Sequence, residues 1–436
     1  MPVFGMAKTF RPYTPEQELL LPPSLRDWLP ENHLAYFVSD VVDQLDLSAI
    51  ESVYEEEERG QPPYHPRMMT TMLIYAYCVG VFSSRKMQRR LVEDVAFRVL
   101  AAGNQPDFRT ISDFRKLHLE ALEGLFQQVL RITLAAGMIK LGRVALDGSK
   151  VKANASKHKA MTYARMKETE RRLRQEVRQL LEQAEAVDAE EDARYGRDRR
   201  GDELPAELAR RETRIQRIRE AKRALEERAR AEAENEGQSL EEAKPKPKMQ
   251  SNFTDPESRI MKGPEGFVQA YNTQIAVEPN WQLIVGQTVT QAENDKQQME
   301  PLVKAIQQQS GQKPKQVLAD SGYCSDGNLR FLAKKKIEGF VATEKQKHGE
   351  LPQPCQRGPL PQGATRVERM QRKLETQIGA AVYAMRKAIV EPVFGQIKQA
   401  RGFRQFLLRG LKKVQGEWAL ICLTHNIRQI HRLCYG

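Results

Sequence analysis

The chain has few cysteines, and they are scattered. Cys78, Cys324, Cys355, Cys422 and Cys434 are odd in number and show no CxxC spacing. That argues against a disulfide framework and against a zinc ribbon, and makes a reducing cytoplasm the expected compartment. Long apolar runs are missing as well. The best block, residues 68–82, is interrupted by Thr70 and Thr71 and falls short of the roughly 20 residues a membrane span needs. No apolar stretch accompanies Lys8 and Arg11, so no signal peptide is expected. Histidine ligand patterns are absent too: His118, His158, His348 and His425 stand apart, and His425 reads as a core or capping residue.

Positive charge is in surplus. Lys and Arg number 69 against 57 Asp and Glu, for a net charge of +12 over 436 residues. Such a surplus favours a polyanionic partner, either nucleic acid or an acidic membrane. Its distribution is uneven. Residues 1–60 hold four basic and twelve acidic groups, densest at Glu55 to Glu58, whereas residues 371–436 hold twelve basic and three acidic ones. In that C-terminal stretch Glu391 stands alone among cations.

Apolar spacing separates the chain into regions. Residues 30–140 read as helical: Leu34, Phe37, Val41, Val42 and Leu45 recur at helical intervals, and Pro66 opens another apolar block. Two short helices are expected at 84–99 and 111–122, the second capped by Thr110 or Ser112. The first carries Arg85, Lys86, Arg89 and Arg90. A helix-turn-helix DNA reader would show this pattern, and so would a small helical bundle. At 143–148 a short apolar run ending in Asp147-Gly148 reads as a buried strand, followed by a basic stretch with Lys150 and Lys152. Residues 158–245 are charge-rich. Met166, Leu173, Val177, Leu180, Ala184 and Val187 form a heptad seam, and Leu208, Ile215, Ile218, Leu225 and Ala229 repeat it beyond a turn at 196–202. An antiparallel helical hairpin is expected, with a structural role. Strand signals return at 267–277 and 281–289, a hairpin, then at 316–319 and 337–343, with helices at 293–309 and 326–336. A loop at 345–370 and two closing helices follow. The last helix packs through Leu411, Val414, Trp418, Ile421, His425 and Leu433. Without the insert, this order is a mixed α/β sheet with helices on both faces.

Three acids occupy telling positions. Asp147 ends the first strand, Asp320 the fourth, and Glu391 lies on a helix after the fifth. Neighbouring first and fourth strands would set Asp147 beside Asp320, and the helix could bring Glu391 to them. Three hard oxygen donors suit Mg²⁺ or Mn²⁺ rather than zinc, and such a site can hold two ions ~4 Å apart for phosphodiester chemistry. Asp-Gly and Asp-Ser-Gly are also ordinary turn sequences, so each aspartate alone carries little weight. On a continuous helix at ~100° per residue, Lys398, Lys387 and Tyr383 share a face with Glu391. Pro392 must kink that helix or start a new one.

The segments Leu-Asp147-Gly-Ser-Lys150-Val-Lys152, Leu-Ala-Asp320-Ser-Gly-Tyr and Tyr383 to Lys398 together resemble the DDE transposases of bacterial insertion sequences. One large group of that family carries a Tyr, Arg, Glu, Lys signature. Tyr383 to Arg386 and Glu391 to Lys398 keep its gaps; Arg386 stands one residue too far from Glu391, and Lys387 has the right gap, so either could fill the Arg position. The resemblance implies an RNase H-like catalytic domain (141–157 and 250–410), a helical DNA-binding domain (1–140), the hairpin insertion (158–249) and a C-terminal packing helix (411–436). It further implies Asp147, Asp320 and Glu391 as catalytic, metal-binding acids holding two Mg²⁺ or Mn²⁺ ions. Lys150, Lys152, Tyr383, Arg386, Lys387, Lys398 and the Arg85, Lys86, Arg89, Arg90 group are the expected DNA contacts. The implied partners are the element's terminal inverted repeats and a target duplex. A homodimer in a synaptic complex, at the nucleoid and without membrane contact, is expected. No Trp lies between Asp320 and Glu391 to hold a flipped base, so a hairpin excision step has no support. Two other readings fit parts of the pattern: a DNA-binding regulator dimerising through the arm without chemistry, and an RNase H-like nuclease that does not transpose.

Overall fold

In a computed structural model of the chain, residues 24–55, 62–156, 159–195, 206–236, 243–263, 266–344 and 358–436 are described. Lys8, Arg11, Glu56 to Glu58, His158, His348, Cys355, the 196–202 turn and residues 345–357 lie outside them. Seven helices come first: α1 (Leu34–Asp43), α2 (Ser48–Glu55), α3 (Pro66–Cys78), α4 (Ser84–Glu93), α5 (Val95–Leu100), α6 (Phe108–Leu117) and α7 (Leu119–Ala135). Pro66 opens α3 at its first turn, where its missing N–H costs nothing. The two short helices expected here are each broken. Asp94 turns extended between α4 and α5 and caps α5 by accepting from the Ala96 N–H. His118 separates α6 from α7. Neither Thr110 nor Ser112 caps α6. Asp107 does so, accepting from the Thr110 N–H at 2.7 Å, because a carboxylate outside the first turn is the better acceptor for an orphan donor.

The strands are β1 (Arg143–Lys152), β2 (Ala160–Thr162), β3 (Gln250–Asn252), β4 (Arg259–Gly263), β5 (Gly266–Val277), β6 (Ile284–Thr290), β7 (Gln316–Ala319) and β8 (Glu338–Val341). Between β2 and β3 run α8 (Tyr163–Tyr195) and α9 (Ala206–Glu236). Then α10 (Met299–Ser310) precedes β7, α11 (Asp326–Lys335) precedes β8, and α12 (Arg366–Glu375), α13 (Gln377–Gly395) and α14 (Leu411–Tyr435) close the chain. The main sheet has the order β4-β5-β1-β7-β8, and β6 lies beside β4 on the same edge of β5. β1 is antiparallel to β5 and parallel to β7, and β7 is parallel to β8. The mixed α/β class expected from the sequence is therefore what the chain adopts.

Several boundaries differ from the sequence reading. β1 does not stop at Gly148 but continues to Lys152, because β5 keeps pairing with it through Ala270. β4 and the small β2–β3 pair are additional strands whose partners alone make them extended. α10 begins at Met299 rather than 293, leaving Glu293 to Gln298 in an irregular segment. α12 is an extra helix that begins inside the expected 345–370 loop, fixed by a capping box between Thr365 and Glu368.

α8 and α9 pack through Met166, Leu173, Ile215, Ile218, Ala221 and Leu225, which form a small apolar cluster of their own. Side chains of Ala184, Val187 and Leu208 lie outside the described residues. Tyr163 donates to Glu226, Glu170 holds Arg219 and Lys222, and Glu176 meets Arg211. Partners thus move backward along α9 as they move forward along α8. The Lys222–Glu170 contact is 2.7 Å on a half-buried edge, and this cluster of cations pulls the Glu170 carboxyl down to about 2, against its own desolvation.

α14 is not apolar on one side only. Its residues from Gly416 to Ile427 are buried all round, between α3 and α7 on one side and β6 on the other. The N-terminal helices and the sheet accordingly share one apolar core through Trp418, Leu420 and Ile421.

Candidate active site

The parallel register sets the geometry. Arg143 pairs with Gln316 and Ala145 with Leu318, so the same offset carries Asp147 onto Asp320 just beyond the last pair. Asp147 sits where β1 leaves β7, and Asp320 caps a short turn, its Oδ1 accepting from the Gly322 N–H at 2.9 Å. Side-chain alternation along β1 then divides the surroundings. Asp147 and Ser149 point to the face covered by α13. Gly148 and Lys150 point to the other face, beside Gln274 and Asn272, their partners on β5.

On the α13 face, Arg386 is the central cation. Its guanidinium is buried, with Nη1 at 3.9 Å from Asp147 Oδ1 and Nη2 at 3.7 Å from Glu391 Oε1. Its Nε and Nη1 have no hydrogen-bond partner. A buried donor left open in this way is costly unless something else completes it. Glu391 is 56% exposed and meets Asp147 only across Arg386. Lys387 is exposed on the same helix. Tyr383 lies half-buried, its phenol pushed up by burial against the pull of Arg386. The helix passes through Pro392 without ending. The carbonyl of Ala388, which Pro392 cannot serve, accepts from Gln282 Nε2 at 3.1 Å. A π-turn at Gln396–Ala400 follows, the kind of irregularity that re-aims side chains. Lys398 on it donates to Ser149 Oγ and, at 2.8 Å, to the Lys150 carbonyl. Burial lowers the Lys398 amine to about 8, with Asp147 opposing.

Burial raises the Asp147 carboxyl to about 7; Arg386 opposes that shift while Asp320 and Asp295 add to it. The edge is therefore a partly desolvated cluster of acids interleaved with Arg386, Lys398 and Lys150. Oxygen donors of this kind fit a hard divalent cation. Among the described residues no group of three or more His, Cys, Asp or Glu stands close enough together to hold a metal ion, and Arg386 lies between Glu391 and Asp147.

Asp295 escaped the sequence reading, which put it inside a helix. It is held by Asn272 and Gln274, two amides buried in the middle of β5. That pair, Asn and Gln at i,i+2 on a strand that must be covered, was the available signal, because buried amides need polar partners. Lys150 lies on this same face, its Nζ 3.9 Å from Asp295, and burial lowers its amine. Lys152 is exposed beyond it and bridges by its backbone to Gln405. Arg85, Lys86, Arg89 and Arg90 lie exposed on α4, far along the chain from the acids, with Arg85 stacked 4.9 Å over Phe108 and Arg90 paired to Asp94. His425 is buried and bonds the Gln282 carbonyl, as a core residue does. No helix among the described residues is long and apolar enough to cross a membrane.

Comparison with known families gives two matches on the chain. Residues 23–117 match the transposase domain DUF772, and residues 242–427 match the transposase DDE domain. Comparisons with curated proteins and with solved structures return no match. The second match contains Asp320, Arg386, Glu391 and Lys398, and the first contains α4 and α6. Two transposase families following one another along a single polypeptide indicate DNA transposition, and the chain belongs to the DDE transposases of insertion sequences.

Proposed function

We propose that this transposase cuts DNA at the ends of its insertion sequence and joins the freed 3′-hydroxyl to a target duplex, with Asp147, Asp320 and Glu391 as its catalytic acids. The observation that carries the reading is the shared register of Asp147 and Asp320 on adjacent parallel strands, with Arg386 standing between Asp147 and Glu391. The strand order, with β1 central, an antiparallel β5–β6 pair on one side and parallel β7 and β8 on the other, supports the reading of this sheet as an RNase H-like domain. The α8–α9 pair is then an antiparallel hairpin arm inserted after the first acid.

Asp147 and Asp320 would hold Mg²⁺ or Mn²⁺, two ions in the full site, with Glu391 joining once it leaves Arg386. Bound there, such ions supply positive charge to the attacking and leaving oxygens of a phosphodiester. The remaining work falls to the chain itself. Arg386, with two open donors, is suited to a phosphate oxygen. Tyr383 borders the same space, and Lys398, fixed by Ser149 and the Lys150 carbonyl, keeps a cation beside Asp147. Lys150, Lys152 and Lys387 extend the basic surface toward the DNA backbone, and the exposed Arg85, Lys86, Arg89 and Arg90 of α4 give the N-terminal helices a phosphate-binding face. Two DNA ends must be brought together, so a homodimer in a synaptic complex is the working unit.

Labelled duplexes carrying the element's ends test this. Wild-type chain with Mg²⁺ or Mn²⁺ should nick them and transfer the cut strand to plasmid DNA. Asp147→Asn, Asp320→Asn and Glu391→Gln should each bind DNA and cut none. Binding without any cutting by the wild type would leave a regulator. Cutting without transfer would leave a nuclease.

A further inference from the structure

The polar layer on the face opposite α13 has no role in the site as described so far. Asn272 and Gln274 are fully buried in the middle of β5, where apolar side chains would cost less. Their amides converge on one carboxylate. Asp295 Oδ1 accepts from Asn272 Nδ2 at 2.7 Å and from Gln274 Nε2 at 2.7 Å, and Lys150 Nζ lies 3.9 Å from it. Gln274 Nε2 also donates to Asn272 Oδ1, and Gln274 Oε1 accepts from the hydroxyl of buried Tyr323, three residues after Asp320. The network thus runs from Asp295 into the Asp320 turn.

Gly148 lets Asp295 come this close, and Gly322 lies within ordinary contact of it. A Cβ on Gly148, the neighbour of Asp147, would lie 2.6 Å from Asp295 Oδ1 and 2.4 Å from Gln274 Nε2. A Cβ on Gly322 would lie 2.9 Å from Asp320 Oδ1 and 3.5 Å from Asp295 Oδ2. One carboxylate therefore rests against both turns that carry the aspartates, with Oδ1 bonded to the amides and Oδ2 beside Gly322. Arg386, more than nine-tenths buried with open Nε and Nη1, faces Asp147 from the other side of the sheet.

We propose that Asp295 is a positioning residue of the ion-binding edge: its hydrogen bonds behind Gly148 fix the Asp147 and Asp320 turns, and its negative charge raises their affinity for a divalent cation. This rests on the reading of Asp147 and Asp320 as ion-binding acids. Outer partners that orient metal ligands change affinity by about 10–100-fold when lost, and Asp295 reaches the Asp320 turn through Gln274 and Tyr323.

Asp295→Asn isolates the charge, because the new Oδ1 still accepts from Asn272 and Gln274. The test is Mn²⁺ binding to the full-length, DNA-free chain, titrated by electron paramagnetic resonance, with melting in EDTA alongside. The expected result is an Mn²⁺ affinity at least about tenfold weaker at an unchanged or higher melting temperature. A merely structural residue would lower the melting temperature and leave the affinity of the folded fraction alone. Equal Mn²⁺ affinity in Asp295→Asn and wild type overturns the proposal while leaving the site itself standing. Absence of Mn²⁺ binding by the wild type, or full binding by Asp147→Asn, overturns the underlying ion site instead. If Asp295→Asn does not fold, Asp295→Ser takes its place, and failure of both marks Asp295 as structural and ends the proposal.

Discussion

Arg386 and Lys387 are neighbours in sequence and about 100° apart on a helix, so only one can face the sheet. Counting residues to Glu391 leaves both open. The structure turns Arg386 inward against Asp147 and leaves Lys387 exposed. Arg386→Ala is therefore expected to lower DNA cutting by about two to three orders of magnitude, the usual loss when a donor to a developing charge is removed; Lys387→Ala should change it only a few-fold, read by initial rates on labelled ends. Helix phase against the sheet decided this, and phase is not written in spacing. The aspartates were more legible. Each ends a short apolar run, and the offset of β1 on β7 puts them side by side. Their electrostatic state was not legible, since it depends on burial. Asp147 holds its proton up to about 7 in the fold and to an ordinary 3.8 without it. A raised carboxyl favours the fold when protonated, so the penalty begins near pH 4 and is complete above about pH 7. With Asp147 partly solvated, roughly 1–3 kcal/mol is at stake. In EDTA, Asp147→Asn should melt higher than wild type at pH 8 and lose that advantage at pH 4. A lower melting temperature at pH 8 would show that the charge is already balanced.

α13 shows what a single element conceals. Pro392 signals a kink or a restart, yet the helix continues, because Gln282 from the β5–β6 turn takes the orphaned Ala388 carbonyl. Gln282 holds a left-handed backbone, with φ of 57°, and its own carbonyl accepts from His425 if that ring nitrogen is protonated. None of this partnership is visible locally, since Gln282 and Ala388 are 106 residues apart. The π-turn at Gln396–Ala400 is likewise invisible to a regular helical wheel, and it directs Lys398 to the β1 backbone. By contrast, β5, β6, β7 and β8 announce themselves through apolar runs and turns, while β2, β3 and β4 are extended mainly because a partner lies alongside. Gln282→Ala is expected to cost about 0.5–1 kcal/mol in urea unfolding, the worth of one partly solvated hydrogen bond. In a Pro392→Ala background the backbone N–H of residue 392 can serve Ala388, so the cost should shrink. Equal costs in both backgrounds would mean that the side chain stabilises something other than the proline site.

At the scale of the molecule, α14 is the element on which both halves rest. An amphipathic helix packing through Leu411, Val414, Trp418, Ile421, His425 and Leu433 is expected, and that set leaves out Glu417, Thr424 and Asn426. They are buried because each has a partner elsewhere. Glu417 accepts from the Leu407 and Leu408 N–H groups, and Asn426 bonds both the N–H and the carbonyl of Ile284. Thr424 accepts from Arg401, and Arg428 donates to the Cys78 carbonyl at the end of α3. Long-range satisfaction of this kind leaves no periodic trace. It also ties helices and sheet into one cooperative unit, and His425 lies at its centre. Burial lowers the His425 imidazole from 6.5 to about 3, with the Arg401 cation adding to the shift. The fold therefore keeps His425 neutral while the unfolded chain takes up a proton. Stability must fall as pH drops from about 6.5 toward 3, in proportion to that difference. Glu417, raised to about 7 by burial, works the other way between pH 7 and 4.5, so the wild-type profile alone does not isolate His425. The comparison with His425→Gln does, because the amide can still reach the Gln282 carbonyl and Glu417 is common to both chains. Wild type should lose stability relative to His425→Gln steadily from pH 7 to pH 4, measured by thermal melting. In both chains, helical ellipticity and fluorescence from buried Trp418 should be lost in the same transition at every pH. Earlier melting of the N-terminal helices, with Trp418 still in its folded environment, would show that α14 belongs to the sheet alone.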